Sequence, residues 1–162
     1  MPTLNQIPTA GLLEQTTLVL RPSADDRHLF LASAGAVVGF ARRRRGHWLR
    51  PWQRLIVEVH EQEEAPLVCT IRRMFTLWPR YEVRDAEDEL VGVLAGQWIL
   101  DRWQRGTLRV QSLPDGGQLL DDQNAIAARW TVAAGDVSLE LLPPVQNDPF
   151  AKMLVLAAVL LR

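Results

Sequence analysis

The sequence has a single cysteine, Cys69, and only one lysine and one tyrosine among its 162 residues. One cysteine excludes a disulfide framework within the chain. The formal net charge is −1, so the chain as a whole does not attract nucleic acid or anionic lipid. No apolar run reaches the ~20 residues that cross a bilayer, so we expect no transmembrane span. The first residues lack the pattern of a signal peptide, which predicts a cytoplasmic location.

The residue sets that carry common enzyme chemistry are also missing. The three histidines and the one cysteine do not form a Ser–His–Asp or Cys–His nucleophile set with any other pattern in the sequence. Gly116 and Gly117 are expected in a turn and not in a phosphate loop, because no helix with lysine follows them. No cluster has the spacing of a metal site. We therefore predict a protein that is not an enzyme and that holds no metal or cofactor.

Five hairpins are predicted along the chain, each an alternating apolar strand, a polar turn and a second apolar strand. Their first strands begin at residues 28, 55, 81, 108 and 130. Two further strands are expected at 16–21 and around 98–103. Alternation with a period of two, interrupted by turn residues at this spacing, is typical of an all-β sandwich or barrel. The sequence thus predicts about twelve strands.

A helix is predicted over residues 149–161, with Asp148 as its N-cap and Pro149 at its first position. Lys152 is its only polar residue, so the helix has no face suited to water. Its length of about 18 Å is too short for a bilayer core of about 30 Å. We expect it inside a wide closed barrel, where the flexible stem of Lys152 reaches one end. On that basis the exchange Lys152→Met should be tolerated.

Short motifs carry a resemblance to a known family. A strand ending in arginine, residues 67–73, is followed by residues 81–85 (YEVRD) and then by an apolar strand with a glycine, residues 90–94 (LVGVL). With one apolar helix after the strands, this order resembles the tubby-like superfamily, which includes phospholipid scramblases and LURP-one-related proteins. The resemblance implies a mainly β domain over residues 12–162, a closed antiparallel barrel around the helix, preceded by a flexible tail, residues 1–11.

One departure from the scramblases bears on function. Their calcium-binding acidic segment precedes the terminal helix, and the corresponding region here, residues 141–148, offers a single carboxylate, Asp148. Their cysteine cluster for acylation is missing as well. The resemblance therefore implies a fold and a non-enzymatic lipid- or protein-binding role, and it does not extend to calcium-triggered lipid scrambling.

The strongest candidate site is a basic segment between the first two hairpins, residues 42–54. It combines arginine with tryptophan and has no acidic residue, so it attracts anions locally. At a membrane surface indole lies at the headgroup level and guanidinium contacts phosphate. The same pair suits single-stranded nucleic acid through stacking and phosphate contacts. The candidate lipid- or anion-binding residues are Arg42, Arg43, Arg44, Arg45, Trp48, Arg50, Trp52 and Arg54.

Several functions stay open at this point. The first is a module that binds anionic phospholipid at the inner membrane surface, or a protein partner. The second is nucleic-acid binding by the same basic segment. The third is a small-molecule-binding or hydrolytic protein with a pocket at the mouth of the barrel. The segment could also be a solvated loop whose tryptophans close one barrel end, while Trp98 and Trp103 are expected to contact the barrel wall.

Overall fold

The protein forms a closed barrel of twelve antiparallel strands, in which every strand pairs with its neighbours in the chain and the first pairs with the last. The computed structural model describes residues 11–24, 27–44, 56–61, 66–74 and 76–162. The strands are β1 (Thr17–Ser23), β2 (Arg27–Ala32), β3 (Val37–Arg44), β4 (Ile56–His60), β5 (Leu67–Arg73), β6 (Arg80–Asp85), β7 (Leu90–Ala95), β8 (Trp98–Asp101), β9 (Gly106–Leu113), β10 (Gly116–Leu120), β11 (Ile126–Ala133) and β12 (Asp136–Leu141).

Alternating side chains explain why these segments form the wall of a barrel. In β4, Val57 and Val59 are buried, whereas the residues on either side of them are half-buried. The period of two gives one apolar face to the interior and one polar face to solvent. All five predicted hairpins are present, and the two further strands are β1 and β8. The prediction of a closed barrel of about twelve strands is confirmed. Residues 1–10 of the predicted tail lie outside the described residues.

The barrel encloses the predicted helix. A short helix, α1 (Pro143–Gln146), precedes the terminal helix α2 (Pro149–Leu160). The Asp148 side chain accepts hydrogen bonds from the backbone N–H groups of Phe150 and Ala151, at 2.9 and 3.1 Å, so it is the N-cap as predicted. Every residue from Lys152 to Leu160 is buried. The apolar helix and the inward faces of the strands therefore form one continuous core.

Lys152 fastens the helix to the start of the chain. A single 3₁₀ turn, Leu12–Glu14, lies near the helix, and Lys152 Nζ donates hydrogen bonds to the carbonyl oxygens of Leu13 and Gln15. Burial lowers the pKa of this lysine, and the nearby carboxylate of Glu14 opposes that shift. The expectation that Lys152→Met is tolerated rested on the reach of the stem alone, whereas the structure shows that the ammonium donates to two backbone carbonyls.

The exchange Lys152→Met is accordingly expected to destabilise the protein by about 1–3 kcal/mol, because both carbonyls lose this donor. Urea unfolding followed by circular dichroism measures the difference. Met153→Leu at the next buried position is the control, since it removes no donor and changes the volume little. An unchanged midpoint for Lys152→Met would restore the original expectation.

Gly92 in β7 lets the helix pack closely against the wall. A Cβ atom there would lie 2.9 Å from Leu154 Cδ2 of α2 and would also collide with the carbonyl oxygen of Leu100. We expect Gly92→Ala to cost about 1–3 kcal/mol of stability through overpacking. Gly106→Ala in β9 is the matched control, because its Cβ would lie an ordinary 3.5 Å from the Trp98 ring. Equal unfolding midpoints for the two variants would contradict this account of the packing.

Hairpin turns alternate between the two ends of the barrel and give these ends opposite charge. We call the end with the β6–β7, β8–β9 and β10–β11 turns and the first turn of α2 the acidic end. The opposite end, with the last residues of β3, β5 and α2, is the basic end. Acidic residues at the acidic end are Glu87, Asp88, Glu89, Asp101, Asp121, Asp122 and Asp148. Basic residues at the basic end are Arg42, Arg43, Arg44, Arg73 and Arg162, and Asp115 and Asp136 lie at this end too. Arg102 and Arg105 lie at the acidic end, so among the described residues each end has an excess of one sign.

Candidate functional site

The first part of the predicted basic segment is strand and not loop. Arg42, Arg43 and Arg44 are the last residues of β3, and they pair in register with β4. The interpretation of the whole segment as a loop is therefore wrong for residues 42–44, because β3 continues through Arg44 in register with β4. Arg44 Nε lies 3.0 Å from Glu58 Oε2 of β4. Five further candidates, Arg45, Trp48, Arg50, Trp52 and Arg54, lie outside the described residues.

The three described arginines have different surroundings. Arg43 reaches the end of α2, where its Nη2 donates to the carbonyl oxygen of Leu160 at 3.5 Å. A cation stabilises the negative end of a helix dipole, so Arg43 has a structural role. Arg44 is held by Glu58. Arg42 is exposed and makes no hydrogen bond or ion pair with the described part of the chain. Of the three, Arg42 is the guanidinium most available to an external anion.

An exposed apolar tip lies at the same end, and the sequence analysis missed it. In the connection from β5 to β6, Leu77 is 98% exposed and Trp78 is 79% exposed. The hydroxyl of Thr76 donates a hydrogen bond to the carbonyl oxygen of Trp78 within this connection. Two large apolar residues followed by Pro79 in a turn were the available signal. Apolar side chains presented together on a surface mark interaction sites.

Strand order brings the tip and the arginines to one side of the barrel. β3, β4, β5 and β6 are consecutive neighbours in the sheet, and the end of β3, the start of β4 and the end of β5 share one rim. Arg73, the exposed last residue of β5, has no hydrogen bond or ion pair with any described residue. We define the docking face as Arg42, Arg73, Leu77 and Trp78. It joins two cations that have no partner among the described residues with two exposed apolar side chains.

A histidine close to these arginines adds no charge near neutral pH. Burial, and then the positive charge of Arg43, lower the pKa of His28 below its ordinary value. His28 is therefore uncharged when the arginines are charged. Among the described residues, the positive charge of the basic end therefore comes from arginine, which stays charged near neutral pH.

The other candidate reactive group is inert. Cys69 is fully buried, and burial raises its pKa to about 12. A buried thiol with a raised pKa is a poor nucleophile and a poor metal ligand. Among the residues that the structure describes, no group of three histidine, cysteine, aspartate or glutamate side chains could hold a metal ion.

A pocket of about 530 Å³ opens at the acidic end, between the β8–β9 and β10–β11 turns and the start of α2. Trp103 and Phe150 stand in its lining and are 66% and 40% exposed. The expectation that Trp98 and Trp103 contact the barrel wall fails for Trp103, which is 66% exposed, whereas Trp98 belongs to β8 and its ring lies against Gly106 of β9. The β8–β9 turn directs Trp103 away from the wall, because the Asp101 carboxylate accepts the backbone N–H groups of Trp103 and Arg105, each at 2.9 Å.

Comparison with known proteins gives one structural relative. No family model and no curated protein matches the sequence. The crystal structure of an Arabidopsis thaliana protein, which is LURP-one-related, is similar, with a TM-score of 0.57 at 15% sequence identity. The similarity covers 90% of this chain and 91% of the plant chain. The two chains share a fold. At this identity the likeness concerns the fold alone and brings no function with it.

None of the described helices combines the length and the apolar character that crossing a bilayer requires. The apolar helix α2, which comes nearest in character, has twelve residues and is buried in the barrel.

Proposed function

We propose that the protein is a tubby-like, non-enzymatic module that docks through its docking face on the cytoplasmic surface of a membrane containing anionic phospholipid. The observation that carries this proposal is the exposure of Leu77 and Trp78 on the same rim of the barrel as Arg42 and Arg73. The shared fold with a LURP-one-related protein supports the family assignment but is silent on the ligand.

Two weak attractions act together on such a face. An arginine near an anionic membrane surface contributes about 1 kcal/mol of binding free energy, so Arg42 and Arg73 together contribute about 2 kcal/mol. This alone is too little for stable attachment to the membrane. Insertion of Leu77 and the indole of Trp78 at the headgroup level provides the second signal that peripheral proteins need. The exposed apolar tip would thereby leave water.

The charge distribution supports one orientation. The acidic turns lie at the end opposite the docking face, so an anionic surface attracts one end and repels the other. This separation explains how a chain with a net charge of −1 can bind an anionic surface.

Nucleic acid remains the rival ligand for the same arginines. Single-stranded nucleic acid binds by stacking its bases on aromatic side chains. Half of the exposed tip is Leu77, an aliphatic side chain with no face for stacking, and this favours lipid. A protein partner would need a groove for the tip. The vesicle experiment contains no such partner, so binding to vesicles there is binding to lipid.

Co-sedimentation with vesicles tests the proposal. The full chain should sediment with vesicles of phosphatidylcholine and phosphatidylserine, and not with vesicles of phosphatidylcholine alone. Raised salt should weaken binding without abolishing it, because insertion of the tip is not screened. Equal binding to both vesicle types, or displacement by a low concentration of single-stranded DNA, would contradict the lipid assignment.

A further inference from the structure

The pocket at the acidic end has the build of a small-ligand site. Its volume of about 530 Å³ lies within the range of ligand pockets in proteins. Its floor is apolar, formed by Val91, Leu108 and Leu154. The exposed rings of Trp103 and Phe150 stand above this floor. An apolar floor with aromatic walls suits a ligand with an apolar body.

The walls of the pocket are held in place by two turns of the same design. In each, an aspartate side chain accepts two backbone N–H groups: Asp101 in the β8–β9 turn, and Asp121 in the β10–β11 turn at 2.9 and 2.8 Å. The fourth residue of each turn, Gln104 or Asn124, has a positive φ of 64° or 62°. These fixed turns pre-form the pocket.

The aromatic pair already holds a cation. The guanidinium carbon of Arg102 lies 5.1 Å from the centroid of the Trp103 ring and 5.3 Å from that of Phe150. The guanidinium carbon of Arg105 also lies over the Trp103 ring, at 4.9 Å, and it is held there by its ion pair with Asp101. Arg102 has no hydrogen bond or ion pair within the described residues. Its side chain is therefore held at the pocket by cation–π contacts alone, which are weak at an exposed site. Another cation could take its place.

The charges of the pocket favour a positive ligand. Arg105 is neutralised by Asp101, at 2.8 Å from Nη2 to Oδ2. Burial opposes ionisation of Asp101, but hydrogen bonds and the charge of Arg105 outweigh it and lower the pKa of Asp101. With Arg105 and Asp101 paired, the charged residues left in the lining are one cation, Arg102, and three carboxylates, those of Asp121, Asp122 and Asp148. The lining therefore has a net negative charge.

We propose that this pocket binds an organic cation, an amine or guanidinium on an aromatic or aliphatic body, whose charge replaces that of Arg102 over Trp103 and Phe150. The site lies at the end opposite the docking face, so it is independent of the proposed membrane function. The ligand is either a free small amine or a basic side chain of a peptide, since both present the same chemistry.

Two probes with the same ring and opposite charge test this proposal. The full chain is titrated with tryptamine and, separately, with indole-3-acetate, and binding is followed by amide chemical shifts in NMR. Tryptamine should shift the amide resonances of the β8–β9 turn and of the first turn of α2, and it should bind more tightly than indole-3-acetate. Preference for indole-3-acetate, equal binding of the two, or shifts confined to another surface would overturn the proposal.

Three variants distinguish this site from a nonspecific aromatic contact, because the proposal predicts a different change in tryptamine affinity for each. Arg102→Ala should tighten tryptamine binding about threefold, because it removes a competing cation roughly 7 Å from the ligand charge. Trp103→Ala should weaken it about tenfold, and Trp98→Ala, an exposed indole outside the pocket, should leave it unchanged. Spectra with native dispersion confirm that each variant is folded. Weaker binding by Arg102→Ala would refute the proposal.

A third probe identifies the source of the cation. A short peptide with arginine beside tryptophan, flanked by glycines, is compared with tryptamine on the same full chain. Both probes carry a cation on an indole-bearing body, so the proposal expects saturable binding of both at the pocket. Tighter binding of the peptide indicates a peptide segment as the natural ligand, and tighter binding of tryptamine indicates a free amine. Failure of both probes to bind at the pocket refutes the proposal.

Discussion

A chain that ends at Asn147 is expected not to fold. Removing α2 takes Leu154, Val155, Leu156 and Val159 from the core, and each such side chain stabilises the fold by about 1.5–3 kcal/mol. Their sum is comparable to the entire 5–15 kcal/mol that stabilises a typical domain. The inward faces of the strands would also be exposed to water. The truncated chain should aggregate, and any soluble fraction should lack the β spectrum of the intact chain in circular dichroism.

The control is a chain that ends at Leu160. It keeps the buried helix and the carbonyl that Arg43 binds, and it loses only two residues, Leu161 and Arg162. This chain should be soluble and folded. A soluble chain ending at Asn147 with an unchanged β spectrum would show that the helix is not the core of the barrel.

Removing the apolar tip should have the largest effect on membrane binding. The double exchange Leu77→Ser and Trp78→Ser should lower the affinity for anionic vesicles about a hundredfold, which corresponds to about 3 kcal/mol of lost burial. Arg42→Gln with Arg73→Gln should lower it about thirtyfold, since each arginine contributes about 1 kcal/mol. Because neither pair is buried, the unfolding midpoint should not change. Vesicle co-sedimentation measures both effects.

Matched exchanges at the acidic end serve as controls. Trp103→Ser removes an exposed indole and Arg102→Gln removes an unpaired guanidinium, yet both should retain wild-type affinity for vesicles. Arg43→Gln should lower stability and leave vesicle affinity nearly unchanged, because Arg43 binds the end of α2. Loss of binding in the acidic-end variants, equal to that in the tip variant, would contradict docking by one end.

The fold could be predicted from the sequence because its signals are local. Alternating apolar residues within β4, and a polar turn before β5, define a hairpin without knowledge of any distant residue. The helix is likewise predicted by Asp148, Pro149 and an apolar run in which Lys152 is the only polar residue. Closure into a barrel then follows, since an apolar helix needs to be enclosed on all sides.

The site could be predicted only in part, because it depends on contacts between distant segments. The sequence indicates that residues 42–54 are basic, but not that β3 continues through Arg44 in register with β4. It does not reveal that Arg43 donates a hydrogen bond to the carbonyl oxygen of Leu160. The exposed tip at Leu77 comes beside Arg42 only through the order of strands β3 to β6, which no local pattern contains.

The two carbonyls that Lys152 binds illustrate the same limit. Leu13 and Gln15 are more than a hundred residues away in the chain, at separations of 139 and 137. A sequence pattern identifies a lysine in an apolar helix and predicts that its stem reaches a barrel end. Only the closed structure identifies the two acceptor carbonyls. Their need for a donor determines whether methionine can replace Lys152.

The most direct measurement places a fluorophore at each end of the barrel. Cys69 is buried and its pKa is about 12, so a single cysteine introduced as Leu77→Cys or Glu87→Cys is the thiol that an environment-sensitive dye labels. With anionic vesicles, the dye at residue 77 should shift to shorter wavelength and gain intensity, and the dye at residue 87 should not respond. A response at residue 87 alone, or none at residue 77 under conditions in which the protein sediments with the vesicles, would contradict docking through the basic end.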